Sequence, residues 1–203
     1  MFTGTMKSSG SLGVRKLYKK APWSWRIRNG LRPGFWGGWL AVRVAVLFSW
    51  LTSIPTMHSR LSIKVRRPDG WTIDYGVVGY RSITTAFANF LVDQLQTESS
   101  LIGDFKYHDG GVGSTAENVS NTAMETTDGE SRATGTQTEG ASANIYKSVG
   151  TVSYTSTKAI TEHGLFNDAI AGTLLDRTVF SAVNVVSGDA CEFTYEYTVS
   201  TGG

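Results

Sequence analysis

Residues 191–200, CEFTYEYTVS, alternate without a break: Cys191, Phe193, Tyr195, Tyr197 and Val199 take one parity, Glu192, Thr194, Glu196, Thr198 and Ser200 the other. Side chains of an extended strand point to opposite faces in turn, so this segment is a strand with one buried and one wet face, in the manner of an antiparallel sheet. Residues 61–78 repeat the pattern. Leu61, Ile63 and Val65 oppose Ser62, Lys64 and Arg66, Pro68-Asp69-Gly70 makes a turn, and Trp71, Ile73, Tyr75 and Val77 resume the alternation. That is a β-hairpin with one buried face. A chain of 203 residues with 23 Gly and only 18% charged residues suits short strands joined by small-residue turns.

The period changes at TTAFANFLVDQLQTESSLIG, where Phe87, Phe90, Leu91, Gln94 and Leu95 fall at helical spacing. Thr84 or Thr85 caps the start and Gly103 closes the end, so one amphipathic helix is expected over about 84–97. Residues 110–144 hold few large apolar side chains, only Val112, Val119 and Met124. Local burial there does not offset an ordering cost of about 1–2 kcal/mol per residue, which predicts a long polar loop, mobile or held by another subunit. Further strands are expected in 144–156 and 173–186, with turns at Gly164 and Gly172.

Charge divides the chain differently. Residues 1–67 contain thirteen Lys and Arg and no Asp or Glu, whereas residues 68–203 contain six against seventeen. Such asymmetry marks a change of module, here a basic, Trp-rich arm (1–56) followed by a β-rich domain (57–203). Within the arm, Phe35–Ile54 is apolar apart from Arg43, long enough to cross a bilayer but weakened by two glycines and the central Arg. The arm is open to several readings: a signal or anchor, a nucleic-acid binder, a packing arm on a neighbouring subunit, or a start-site artefact with translation from Met57. Packing and artefact are preferred, with neither specific nucleic acid nor membrane as the expected partner.

Chemistry-bearing patterns are sparse. His58, His108 and His163 have no HxH or HxxxH spacing, so a metal set built from His108 or His163 with Asp109, Glu162 and Asp176 lacks its signature; strand-end histidines bonding locally are expected. There is no G-x-S-x-G, and GGVGSTA lacks the Lys of a phosphate loop. The single Cys191 rules out an internal disulfide and a multi-Cys zinc site. A small hydrolase would need His163 or His108 in a pocket, close to a carboxylate or hydroxyl. Asp176 and Arg177, neighbours on an expected strand, should point apart and each meet a facing strand or subunit.

Three stretches, KYHDGGVGSTAE (106–117), 124–166 and 172–203, with their GSTAE loop, ITEHGLF, LLDRTVFS and NVVSGD, resemble small structural proteins of tailed bacteriophages. The resemblance spans roughly 60–203 and implies a non-enzymatic virion component without cofactor or metal. It implies a mainly β fold, an antiparallel β-sandwich or jelly-roll-like domain. The expected role is capsid decoration or cementing, as a homo-oligomer (a trimer by preference) on the major capsid protein. A tail, neck or fibre component, or a receptor- or glycan-binding module using Tyr107, Tyr146 or Trp71, is the alternative. The candidate assembly residues are Arg15, Lys16, Lys19, Lys20, Trp23, Trp25, Arg26 and Arg28 in the arm, with Asp176 and Arg177 in the domain. Arg and Trp are common interface anchors, and a basic arm suits an acidic neighbour.

Overall fold

The structure, a computed structural model, describes residues 17–52, 55–81, 83–95 and 105–200. It is a mainly β protein with two facing sheets, a β-sandwich. In chain order come β1 (Leu17–Lys20), α1 (Trp23–Leu31), α2 (Pro33–Thr52), β2 (Thr56–Arg66), β3 (Trp71–Arg81) and α3 (Thr85–Leu95). Then come β4 (Tyr107–Gly111), β5 (Ala133–Thr134), β6 (Thr136–Glu139), β7 (Ile145–Ser153), β8 (Lys158–Phe166), β9 (Leu174–Val185) and β10 (Ala190–Ser200). The larger sheet runs β1-β3-β2-β10-β7-β6, antiparallel except where β1 joins β3 in parallel; the smaller runs β5-β4-β8-β9.

β10 lies inside the larger sheet, between β2 and β7, and Cys191, Phe193, Tyr195 and Tyr197 are buried as their parity predicts. Its outward Glu192 and Glu196 meet Lys64, Arg66 and Arg60 of β2. The basic run at 60–66 is therefore matched in register by the last strand, although pairs this exposed contribute little.

The β2–β3 hairpin turns at Gly70, whose φ of +86° suits glycine. Its alternation then slips. Tyr75 and Val78 are extra residues opposite an uninterrupted β2, and Gly76 takes φ +69°. Each bulge reverses the facing of the residues beyond it, so Val78, at 1% exposure, fills the core in place of the expected Val77. Gly164, expected as a turn, pairs inside β8 with Asp109 and Arg177 instead. A Cβ there would come within 2.6 Å of Met124 Sδ and 2.8 Å of the Phe166 ring, so the glycine serves close packing.

α3 starts where expected. Thr84 Oγ1 accepts from Phe87 N at 3.1 Å and donates to Leu174 O at 2.8 Å, tying the cap to β9. Phe87 then meets Phe105 and Tyr197 edge to face at one end of the core. The expected closure at Gly103 lies outside the described residues.

The charge boundary near residue 57 is not a packing boundary. Trp25 is 5% exposed and its Nε1 donates to Ala182 O at 2.8 Å and Ser181 O at 3.1 Å. Asn29 donates to Val78 O at 3.1 Å and accepts from Ser181 N at 3.0 Å. α1 therefore bridges β3 of one sheet to β9 of the other and closes that side of the sandwich.

Candidate functional site

Between the sheets lies a buried polar centre. His108 (β4) and His163 (β8) both face inward, with His108 Nδ1 3.0 Å from His163 Nε2 and His108 Nε2 2.8 Å from Ser148 Oγ on β7. The two rings are at most 1% exposed, and His163 lies against Phe193, ring centroids 4.7 Å apart. Burial pushes the His108 imidazole down to about 3, and burial with the neighbouring His108 holds His163 well below the ordinary range. Neutral imidazoles can share hydrogen bonds in such a chain, one nitrogen donating and the other accepting. Contrary to the strand-end expectation, His163 is mid-strand and the pair bonds across the sandwich. A hydroxyl is within reach of His108, but both rings are shut away from the surface. Among the described residues no three His, Cys, Asp or Glu side chains are placed to hold a metal ion.

On the outer face of the smaller sheet, Glu162 and Arg177 form a second buried set, Arg177 Nε donating to Glu162 Oε2 at 2.5 Å. Glu162, fully buried, also accepts from the backbone N–H of Gly113 (3.0 Å), Thr126 (2.8 Å) and Glu125 (3.2 Å). Arg177 donates to Glu125 Oε2 at 3.0 Å and Thr115 O at 3.2 Å. The expectation that 110–144 is mobile or held by another subunit is thereby corrected. The chain's own carboxylate and guanidinium gather the loop onto β8 and β9, satisfying backbone groups that local burial could not. The glycines of GGVG give the clearance: a Cβ on Gly111 would sit 2.7 Å from Glu162 Oε1. The motif cradles a carboxylate of the same chain. Farther along, Arg132 Nε reaches Asp109 at 3.0 Å, and Lys158 reaches Glu130 at 2.7 Å, holding that carboxyl down at about 2.

Asp176 points the other way from Arg177, into the core, where it accepts from Ser59 of β2. Burial raises its carboxyl to about 6, against the opposing pull of Ser59 and Arg81. Arg81 itself pairs with Glu117. Asp176 and Arg177 are 2% and 4% exposed, so their partners are strands and a loop of this chain; as assembly residues facing a neighbour they are withdrawn.

The arm residues fall into three groups. Arg15 and Lys16 lie outside the described residues. Trp25 is consumed in the core. Lys19, Lys20, Trp23, Arg26 and Arg28 are exposed, Trp23 beneath the Arg26 guanidinium. With Ile27 and Leu31, Trp23 forms an outward apolar stripe on α1, which runs into Trp36 around a groove of about 470 Å³ shared with Phe35 and Tyr75. Tyr107, Tyr146 and Trp71 do not line this groove.

α2 continues that surface. Phe35, Gly38, Val42, Ala45 and Ser49 turn toward the domain, and a Cβ on Gly38 would run into Tyr80 O, so only glycine lets the helix lie this close. Outward stand Trp36, Leu40, Val44, Val46, Leu47, Phe48, Trp50 and Leu51, between 41% and 67% exposed. The usual polarity of a surface helix is inverted, with small residues inside and large apolar ones outside. Composition signalled this run as apolar. Which side would face outward emerged only once α1 and β2 were docked to the same sandwich. No known protein family, curated protein or solved structure matches the chain.

Proposed function

We propose that this chain is a non-enzymatic structural subunit of a virus particle of the tailed-phage kind, seated through the exposed face of α1 and α2. The carrying observation is that face: eleven large apolar side chains, from Trp23 to Leu51, each at least 41% exposed. Contiguous exposed apolar surface on this scale is the mark of an interaction site. The buried polar groups support the same conclusion, because the two histidines, Glu162, Asp176 and Arg177 spend their bonding capacity on the chain's own strands and loop. The phage assignment rests on the resemblance of residues 106–117, 124–166 and 172–203, and decoration of the head shell is preferred to a neck or tail position. The test is to add purified full-length chain to particles lacking it and to map the density. Occupancy on the shell, abolished by Leu40→Glu with Leu47→Glu, is the expected result; no occupancy on head or tail overturns the assignment.

The groove between α1, the start of α2 and β3 favours a second reading, a glycan- or receptor-binding module, because Trp23, Trp36 and Tyr75 offer ring faces beside Arg26. Saccharide binding lost in Trp23→Ala and Trp36→Ala would favour this alternative.

A further inference from the structure

We infer that the end of the sandwich beneath α3 is a binding site for a small neutral aromatic molecule carrying one oxygen, a phenol or an aryl alcohol. A cavity of about 290 Å³ lies there, and it shares no lining residue with the groove between α1 and α2. Phe87 and Leu91, four positions apart on α3, form one wall. Tyr146 of β7, Leu175 of β9 and Tyr197 of β10 face them from the strands, with Phe105 just before β4. The site is independent of the assembly reading above.

Size and lining decide what fits. Protein interiors are close-packed, and this space is about twice the ~150 Å³ apolar cavity that takes up benzene in another protein. A buried water needs two to four polar partners, and of the side chains named only Tyr146 and Tyr197 carry a hydroxyl. Tyr146 Oη accepts from Gln137 Nε2 at 2.9 Å and donates to Phe105 O, so its capacity is used. Among the described residues the Tyr197 hydroxyl has no partner, although it is shut off from solvent. One such hydroxyl is too little for water in an apolar chamber, but it is enough to orient a ligand that brings one oxygen.

The rings and the absence of charge narrow the class. Phe87 meets Phe105 and Tyr197 edge to face, with centroids 5.1 and 5.8 Å apart, and an aromatic guest extends that packing. The Thr84 cap ties the start of α3 to β9, which holds Phe87 and Leu91 over the cavity. No Lys or Arg among the described residues lines the wall, so a carboxylate would enter unpaired, at high cost. Burial raises the Tyr197 hydroxyl to about 12, so at neutral pH it keeps its proton and can donate.

Equilibrium dialysis of the full-length chain against 2-naphthol, naphthalene and 2-naphthoate tests the site. Saturable uptake of one 2-naphthol per chain is expected, with naphthalene held about threefold to tenfold more weakly for want of one hydrogen bond, and 2-naphthoate not held. Tyr197→Phe keeps the ring and should erase the difference between 2-naphthol and naphthalene. Leu91→Trp should fill the chamber and abolish uptake with unchanged circular dichroism, whereas Trp36→Ala, in the other groove, should leave uptake intact. No saturable uptake of 2-naphthol overturns the site, as does uptake that survives Leu91→Trp but is lost in Trp36→Ala. A difference between 2-naphthol and naphthalene that persists in Tyr197→Phe overturns the part given to the hydroxyl, and tight binding of 2-naphthoate overturns the neutral class.

Discussion

His108 and His163 are neutral in the folded protein because burial between the sheets, shut off from solvent, penalises a charged imidazole. The unfolded chain takes up protons below about pH 6.5, whereas folded His108 does so only near 3. Stability contributed by this pair is therefore complete above about 6.5 and declines as pH falls toward 3. Asp176 acts in the opposite sense: its folded value, about 6, lies above the ordinary 3.8, so its contribution is full below 3.8 and lost as pH rises through 6. The two histidines carry the larger change, and the expected sum is a urea midpoint that falls between pH 7.5 and 4.5. His163→Phe should flatten that slope while costing about 1–3 kcal/mol at pH 7.5, because His108 loses a partner. A slope unchanged in the variant would point to other titrating groups.

β2, β3, β7, β9 and β10 were legible, whereas β4, β8 and the loop were not, for one physical reason. Alternation along 191–200 is a local signal, and burial matched it from Cys191 to Tyr197. The order of 110–144 instead depends on Glu162 and Arg177, 36 to 62 positions from the loop residues they hold, and no pattern inside the loop announces them. The bulges at Tyr75 and Val78 were hidden likewise, since Gly76 is one of many glycines until its φ is known. The loop's dependence is testable. Glu162→Gln removes the charge facing Arg177 and turns an amide toward backbone donors, which should cost about 3–5 kcal/mol, as for other broken buried pairs. Hydrogen exchange should show the amides of Gly113, Glu125 and Thr126 losing protection ahead of those in β10. Simultaneous loss in both would mean that the loop and the sandwich are one cooperative unit.

At the scale of the whole molecule, the basic arm and the acidic remainder share a core. Trp25 and Asn29 occupy the open side between β3 and β9, so a chain beginning at Met57 would expose Val78, Ser181 and Ala182 to water. Such a chain should melt several degrees lower than the full protein, as an order of magnitude for one or two lost core contacts. Equal melting of the full chain and the Met57 form would show that α1 adds nothing to the sandwich. The asymmetry of charge that suggested two modules thus reflects surface composition, while the packing makes residues 17–200 one body wherever they are described.

β10, which follows the other described strands in the chain, is an inner strand of the larger sheet, holding β2 on one side and β7 on the other. Until it is made, β2 and β7 have no strand between them and the larger sheet stays split, although α1 and the Thr84 cap already tie β3 and α3 to β9. Closure of the larger sheet therefore waits on residues 190–200. A product truncated before Ala190 should be insoluble and leave β2 and β7 open to proteolysis.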